Sequence, residues 1–227
     1  MLEEFGPSLY VADGPAVPFF GIPYPTRMAV ARLQDGSTWV WSPVALTPEL
    51  AQAVDAIGPV RHIVSPNKLH HLFLEEWAER YPDAKLHAPP GLAKKKASIS
   101  FDTELGDSAP PDWSGEIEQV VFRGSVALEE VVFWHRPSDT ALLCDLVQRH
   151  DPANFSLLKG TLLRLVGVVG DAGSTPREWK MSFLRRRLAR TARESVLNWE
   201  PERLLIAHGQ CVQRGATEIV SRALAWI

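Results

Sequence analysis

Apolar and polar residues alternate over short stretches through much of this chain, and turn signals separate the stretches. That pattern predicts half-buried strands. Ser8–Ala12 alternates and runs into the turn pair Asp13-Gly14. Four prolines (Pro15, Pro18, Pro23 and Pro25) are then interleaved with Phe19, Phe20 and Tyr24, which predicts an irregular apolar loop laid over the core. Arg27–Leu33 and Ser37–Ser42 read as a hairpin closed by Gln34-Asp35-Gly36. Thr47-Pro48-Glu49 supplies an N-cap and a first-turn proline for a helix that Gly58-Pro59 ends. Val60–Val64 is a short buried strand, a helix follows over 72–80, and Lys85–Ala88 is a further strand.

The pattern then changes. Pro89–Gly115 is turn-rich, and Glu116–Phe122 alternates as a strand. Glu130–His135 and Thr140–Leu146 are β-branched, apolar runs joined by Arg136-Pro137-Ser138-Asp139. Ser156–Val169 is apolar enough for a buried helix, and Thr175-Pro176 opens the longest helix, running to Leu197. Arg203–Ala207 is the last strand and Gly215–Trp226 the last helix. Strands lead each half and helices follow, which suits two half-units packed sheet on sheet with helices outside. No long polar linker divides the chain, so a single domain over 1–227 is expected.

Composition narrows the class. Of the 227 residues, 45% are apolar and 22% charged, enough apolar surface to offset chain entropy and exclude a disordered chain. Lysine and arginine total 24 against 27 carboxylates, a formal charge of −3. Such a balance gives no global attraction to nucleic acid or to an acidic membrane surface. Arg185, Arg186, Arg187, Arg190 and Arg193 share the longest helix, where a solvated face accounts for them. Two cysteines, Cys144 and Cys211, build neither a disulfide framework nor a four-thiolate zinc site. No apolar run approaches the roughly 18 to 20 residues that span a bilayer, and the acidic start lacks a signal core. A cytoplasmic location with no membrane and no nucleic-acid partner is the expectation.

Three strand ends carry chemistry. Val60–Val64 leads into Ser65-Pro66-Asn67-Lys68-Leu69-His70-His71; Thr140–Leu143 leads into Cys144-Asp145; Leu204–Ala207 leads into His208-Gly209. Strand ends are where layered folds place their sites. A carboxylate at the end of an apolar strand must be paired or metal-bound. Alternation turns Cys144 to the face opposite Asp145. Each histidine alone has a structural reading, but three such ends in one small chain point to a shared site.

This arrangement resembles the metallo-β-lactamase superfamily. Its members carry H-x-H-x-D-H after a buried strand, then a turn histidine, a strand ending in Gly-Asp and a strand ending in Gly-His-Gly. The four stations occur here in that order, in a degenerate form like a branch of unknown function with an Asn-Lys-x-His-His segment. The resemblance implies an α/β (α+β) fold, a four-layer αββα sandwich. It puts Pro66, Lys68 and Val126 where the first metal's histidines stand, so that half-site is erased. It puts His70, His71, Asp145 and His208 at the positions of the second. The implied cofactor is one divalent transition metal, zinc ahead of iron, manganese or nickel, or none at all.

Two functions follow from the resemblance. One is a mononuclear hydrolase, in which a metal-activated water attacks a small-molecule ester, amide or thioester. Its metal ligands are His70, His71, Asp145 and His208, and Asp145 and Lys68 are its catalytic groups. Four protein ligands would close a tetrahedral site, so one of them must stand aside. The other is a catalytically retired binding or scaffold protein in which Lys68 pairs with Asp145 in place of a metal. Glu129 or Glu130 is a candidate for an additional ligand or a base, and Cys211 for a thiolate near the site. His62 reads as structural, and His87, His135 and His150 lie near strand or loop ends without a convincing partner.

Overall fold

A computed structural model describes residues 1–19, 22–151, 167–168, 170 and 173–227. Seven strands form the first sheet in sequence order: β1 (Glu3–Gly6), β2 (Leu9–Phe19), β3 (Ile22–Arg32), β4 (Thr38–Trp41), β5 (Val60–Val64), β6 (Lys85–Ala88) and β7 (Thr103–Glu104). Pairing is antiparallel from β1 to β4 and parallel from β4 to β7. The second sheet contains β8 (Ile117–Phe122), β9 (Glu130–His135), β10 (Thr140–Leu143) and β11 (Arg203–Ile206), in the order β11-β10-β9-β8. Only β10 and β11 run parallel in it.

Period-two alternation sorts the apolar residues into layers. Trp39 and Trp41 of β4, Val131 and Phe133 of β9, Leu142 of β10 and Leu205 of β11 share one buried cluster between the sheets. Their strand neighbours Val40 and Val132 face outward into two further clusters. Val40 packs with helices α1 (Pro48–Asp55), α2 (Leu74–Arg80) and α3 (Leu92–Lys95) through Val54, Leu74, Trp77 and Leu92. Val132 packs with α4 (Arg177–Ser182), α5 (Arg186–Asn198) and α6 (Ala216–Ala223) through Trp179, Ala189, Val196 and Val220. The result is the expected αββα sandwich.

Two local expectations are corrected. The proline-rich stretch is not an irregular loop on either side of residues 20–21: β2 runs to Phe19 and β3 starts at Ile22, pairing Val17 with Tyr24 and Pro18 with Pro23. β1 reaches only Val11 on one flank and β4 only Ala29 on the other. The prolines therefore lie where the hairpin outruns its neighbours and a missing N–H leaves no ladder bond unmade. The long C-terminal helix breaks between Ser182 and Arg186, because Phe183 bridges to Ser125 and the Arg185 amide donates to the Gly124 carbonyl (3.1 Å). Gly124 holds φ +102°, and a Cβ there would fall 2.5 Å from the Arg185 carbonyl oxygen, so only glycine admits this approach. The turn-rich stretch holds α3 and β7. The helix expected over 156–169 falls almost wholly outside the described residues.

Candidate metal centre

The site forms at the carboxyl ends of β4, β5, β10 and β11, two parallel pairs facing each other across the sandwich. Ser42 directly follows β4 in a left-handed backbone, φ +52°. His70 lies in the turn after β5, Asp145 two residues beyond β10 and His208 two residues beyond β11. His70 Nε2 is 3.1 Å from His208 Nε2. Asp145 Oδ1 stands 3.2 Å from His208 Nε2, and its Oδ2 3.5 Å from His70 Nε2.

The outer nitrogens fix the tautomers. His208 Nδ1 lies 2.7 Å from the Pro25 carbonyl, which only accepts, so Nδ1 carries the proton. Ser42 Oγ donates to the Arg27 carbonyl (3.1 Å), so its 2.8 Å bond to His70 Nδ1 is accepted from that nitrogen. Both Nε2 atoms therefore present lone pairs to one point, beside a carboxylate. Three acceptors that close demand a cation, either an added proton or a metal. Burial disfavours the proton, holding His70 below the ordinary imidazole range although Asp145 pulls the other way. For Asp145, burial acts to raise the carboxyl, and only positive charge at its neighbours, protonated His208 and His70 or a cation in the place of those protons, holds it well below the usual carboxylate range. Two nitrogen ligands at about 2.05 Å from a tetrahedral zinc would lie about 3.3 Å apart, so these residues fit a metal.

Glu130 and Asn67 hold the carboxylate in place. Asn67 Nδ2 donates to Asp145 Oδ2 (2.8 Å) and Glu130 Oε2 (3.1 Å). Fully buried Glu130 accepts from the amides of Cys144 (2.8 Å), Asp145 (2.7 Å) and Leu146 (3.1 Å). Burial and the neighbouring Asp145 charge push the Glu130 carboxyl up to about 8. It shapes the turn that aims Asp145, and both its oxygens are taken. Sequence reasoning passed over Asn67, whose signal was its place directly after Pro66 in the first station.

His70, Asp145 and His208 are brought together, while the other expected residues are placed differently. His71 lines the adjacent cavity but stands outside the converging donors, because consecutive side chains of this turn diverge. Lys68 does not meet Asp145. The Asn67 side chain accepts from the Leu69 amide (2.8 Å) in a tight turn, and the Lys68 side chain runs along Gly91 instead. Cys144 was expected to face away, yet its Sγ joins a group whose donor atoms all lie within 4.8 Å. β10 has ended at Leu143, so strand alternation no longer governs it. Burial raises that thiol well above its ordinary range, with the Asp145 and Glu130 charges adding to the rise. Cys211 takes no part in that group and lies 3.1 Å from Arg27 Nη1.

A cavity of about 800 Å³ opens onto the three donors. Its walls are largely apolar, among them Leu72, Phe73, Leu128 and Trp179. Tyr24 lies on it, edge-on to His208 at 4.7 Å between centroids, with its hydroxyl donating to Gln148 Oε1. Burial holds that phenol well above its ordinary range, so it stays protonated.

Histidines away from the site are buried and neutral. His62 Nδ1 meets His87 Nε2 at 3.2 Å, and His135 Nδ1 meets Ser138 Oγ at 2.7 Å. Burial lowers His87 to about 3 and His135 to about 4, from 6.5. A depressed folded-state value means stability fully present above pH 6.5 and lost as pH falls toward these values. Glu130, raised, acts in the opposite sense: its contribution is present below pH 4.5 and lost as pH rises through about 8. The histidines prevail on the acid side. Denaturant titrations are expected to show stability falling from pH 6.5 to 4, with His87 alone accounting for roughly 3 kcal/mol. His87→Leu is expected to flatten the slope; an unchanged slope would contradict the assignment.

A model of the family described as "Domain of unknown function (DUF4336)" matches residues 17–163. Among curated proteins, none matches by sequence. Solved structures match over nearly the full length. The DIM-1 metallo-β-lactamase exposed to ceftazidime has a TM-score of 0.67 at 14% identity, covering 98% of this chain and 95% of its own. The FIM-1 metallo-β-lactamase from Pseudomonas aeruginosa, in its mono-zinc form, has 0.64 at 12%, covering 100% and 96%. A metallo-β-lactamase from Pontibacter korlensis has 0.65 at 13%, covering 100% and 97%. At such identities the likeness establishes the fold. The chain has the metallo-β-lactamase fold and belongs to the Domain of unknown function (DUF4336) family.

Proposed function

We propose that the protein is a metal-dependent hydrolase with a mononuclear centre held by His70, Asp145 and His208, acting on an ester, amide or thioester. The observation that carries this reading is the convergence of the Asp145 carboxylate with two imidazole nitrogens whose outer partners leave them as acceptors. Three protein ligands, with His71 aside, leave open positions, as a catalytic site requires. Two imidazoles and a carboxylate suit zinc first, and also iron, manganese or nickel. A divalent cation there would supply a Lewis acid and lower the pKa of water at neutral pH.

The chain's own groups do the rest. Ser42 and the Pro25 carbonyl orient the two imidazoles. Asn67 orients Asp145, and Glu130 shapes the turn beneath it. The apolar cavity walls keep water from a bound acyl group, and Tyr24, its hydroxyl proton already donated to Gln148 Oε1, adds a neutral ring to the same wall beside His208. The retired-scaffold reading relied on Lys68 replacing a cation, and the place of Lys68 beside Gly91 gives it no support.

Reconstitution followed by elemental analysis is expected to find about one equivalent of metal. A metal at a thousandfold its Kd stabilises by about 4 kcal/mol, so chelation is expected to lower the melting temperature by roughly 8–16 °C. Absence of both binding and a melting shift would overturn the proposal.

A further inference from the structure

Among the described residues, seven large apolar side chains are exposed: Met1, Leu69, Leu72, Val126, Met181, Leu184 and Leu188. Two of them line the cavity and three more lie on segments next to its lining residues. Leu69 and Leu72 line the cavity on one side. Ala127, Leu128 and Trp179 line it on the other, where the Val126 amide donates to the Ser182 carbonyl (3.0 Å) and seats Val126 against the turn carrying Met181 and Leu184. Met181, Leu184 and Val126 are 78%, 73% and 74% exposed. Soluble surfaces scatter such residues singly, and their concentration marks a binding face.

Charge identifies the partner. Arg185, Arg186 and Arg187 follow Leu184 directly and are exposed, with no ion pair among the described residues. On the opposite rim Lys95 Nζ donates to the Lys68 carbonyl (2.8 Å), with Lys94 and Lys96 beside it. Basic groups thus flank an apolar rim on both sides, and they outnumber the carboxylates near them: Glu129 and Glu178 on one side, and on the other Glu75, bonded to Ser98, and Glu104, which accepts from the Gly91 amide. The overall charge of −3 hides this local excess. Apolar side chains ringed by Lys and Arg around an apolar cavity match an anionic bilayer, whose headgroups meet the cations while its acyl layer receives the leucines.

We propose that the rim of the cavity is a docking surface for an anionic lipid bilayer. The sequence-based expectation of no membrane partner rested on net charge and spanning segments, and neither describes a local rim. Docking is independent of any metal, so it is testable whether or not the hydrolase reading holds.

The test is co-sedimentation of the full chain with vesicles of phosphatidylcholine alone and of phosphatidylcholine mixed with phosphatidylglycerol. Binding to the mixed vesicles is expected, weakening as salt rises. Each arginine neutralised is expected to weaken apparent affinity about fivefold, so Arg185→Gln with Arg187→Gln should weaken it roughly twenty-fivefold. Met181→Ser with Leu184→Ser, both well exposed, should weaken it about tenfold or more without changing circular dichroism. Three outcomes overturn the proposal: no binding to mixed vesicles at low salt, equal binding to both vesicle types, or variants that bind like the parent. Self-association in solution that Met181→Ser with Leu184→Ser abolishes, without vesicle binding, would assign the rim to a second copy and also overturn it.

Discussion

Replacing His208 with alanine is expected to abolish metal uptake, and with it hydrolysis, while replacing His71 leaves metal content unchanged. The contrast follows from geometry. His208 Nε2 is within 3.2 Å of both His70 Nε2 and Asp145 Oδ1, and its Nδ1 is tied to the Pro25 carbonyl. His71 merely borders the cavity. A three-donor site that loses one donor keeps two, too few to retain a metal against solvent. Changes to the outer partner of a ligating histidine typically weaken binding about 10–100-fold. Ser42→Ala, which removes the acceptor that fixes the His70 tautomer, is therefore expected to fall in that range, and His208→Ala well beyond it. Elemental analysis with competition against a chelator of known affinity measures all three. Retention of full metal by His208→Ala, or its loss in His71→Ala, would mean that the donors are assigned wrongly.

The layers of this fold were legible because they depend on alternation, which a chain displays directly. Trp39 and Trp41 bracket Val40 in the sequence, and the two faces of β4 separate them accordingly. Strand ends were legible too, which is why Asp145 and His208 stood out. Side-chain direction in turns was not. Between Asn67 and His71 the backbone follows hydrogen bonds that no periodicity encodes, such as the Leu69 amide to Asn67 Oδ1. His70 therefore turns in, His71 stands aside, and Lys68 lies along Gly91. The Cys144 expectation failed for a related reason, since strand alternation was carried two residues past the strand. The strands over 15–19 and 22–25 were hidden because proline is a reliable breaker only where a neighbouring strand needs its N–H.

Glu130→Ala is expected to be the most destabilising single change near the site, by roughly 3–5 kcal/mol. Its side chain is the acceptor for three backbone amides, those of Cys144, Asp145 and Leu146, and for Asn67 Nδ2. Alanine leaves four donors in a buried pocket, and each unsatisfied donor costs about 1–3 kcal/mol before relaxation. Glu130→Gln tests the same point more finely. Its carbonyl oxygen can replace Oε2, which takes three of the four bonds, while its amide nitrogen would then face only the Cys144 N–H. It also removes a carboxylate that the Asp145 charge opposes. Urea denaturation should accordingly rank the parent above or near Glu130→Gln, with Glu130→Ala far below. Equal losses in the two variants would mean that charge, and not the acceptor geometry, is what Glu130 provides. The ranking also bears on the site, because the 143–146 turn is what carries Asp145 into reach of both imidazoles. In Glu130→Ala the fold is expected to weaken together with metal affinity, whereas His208→Ala separates the two.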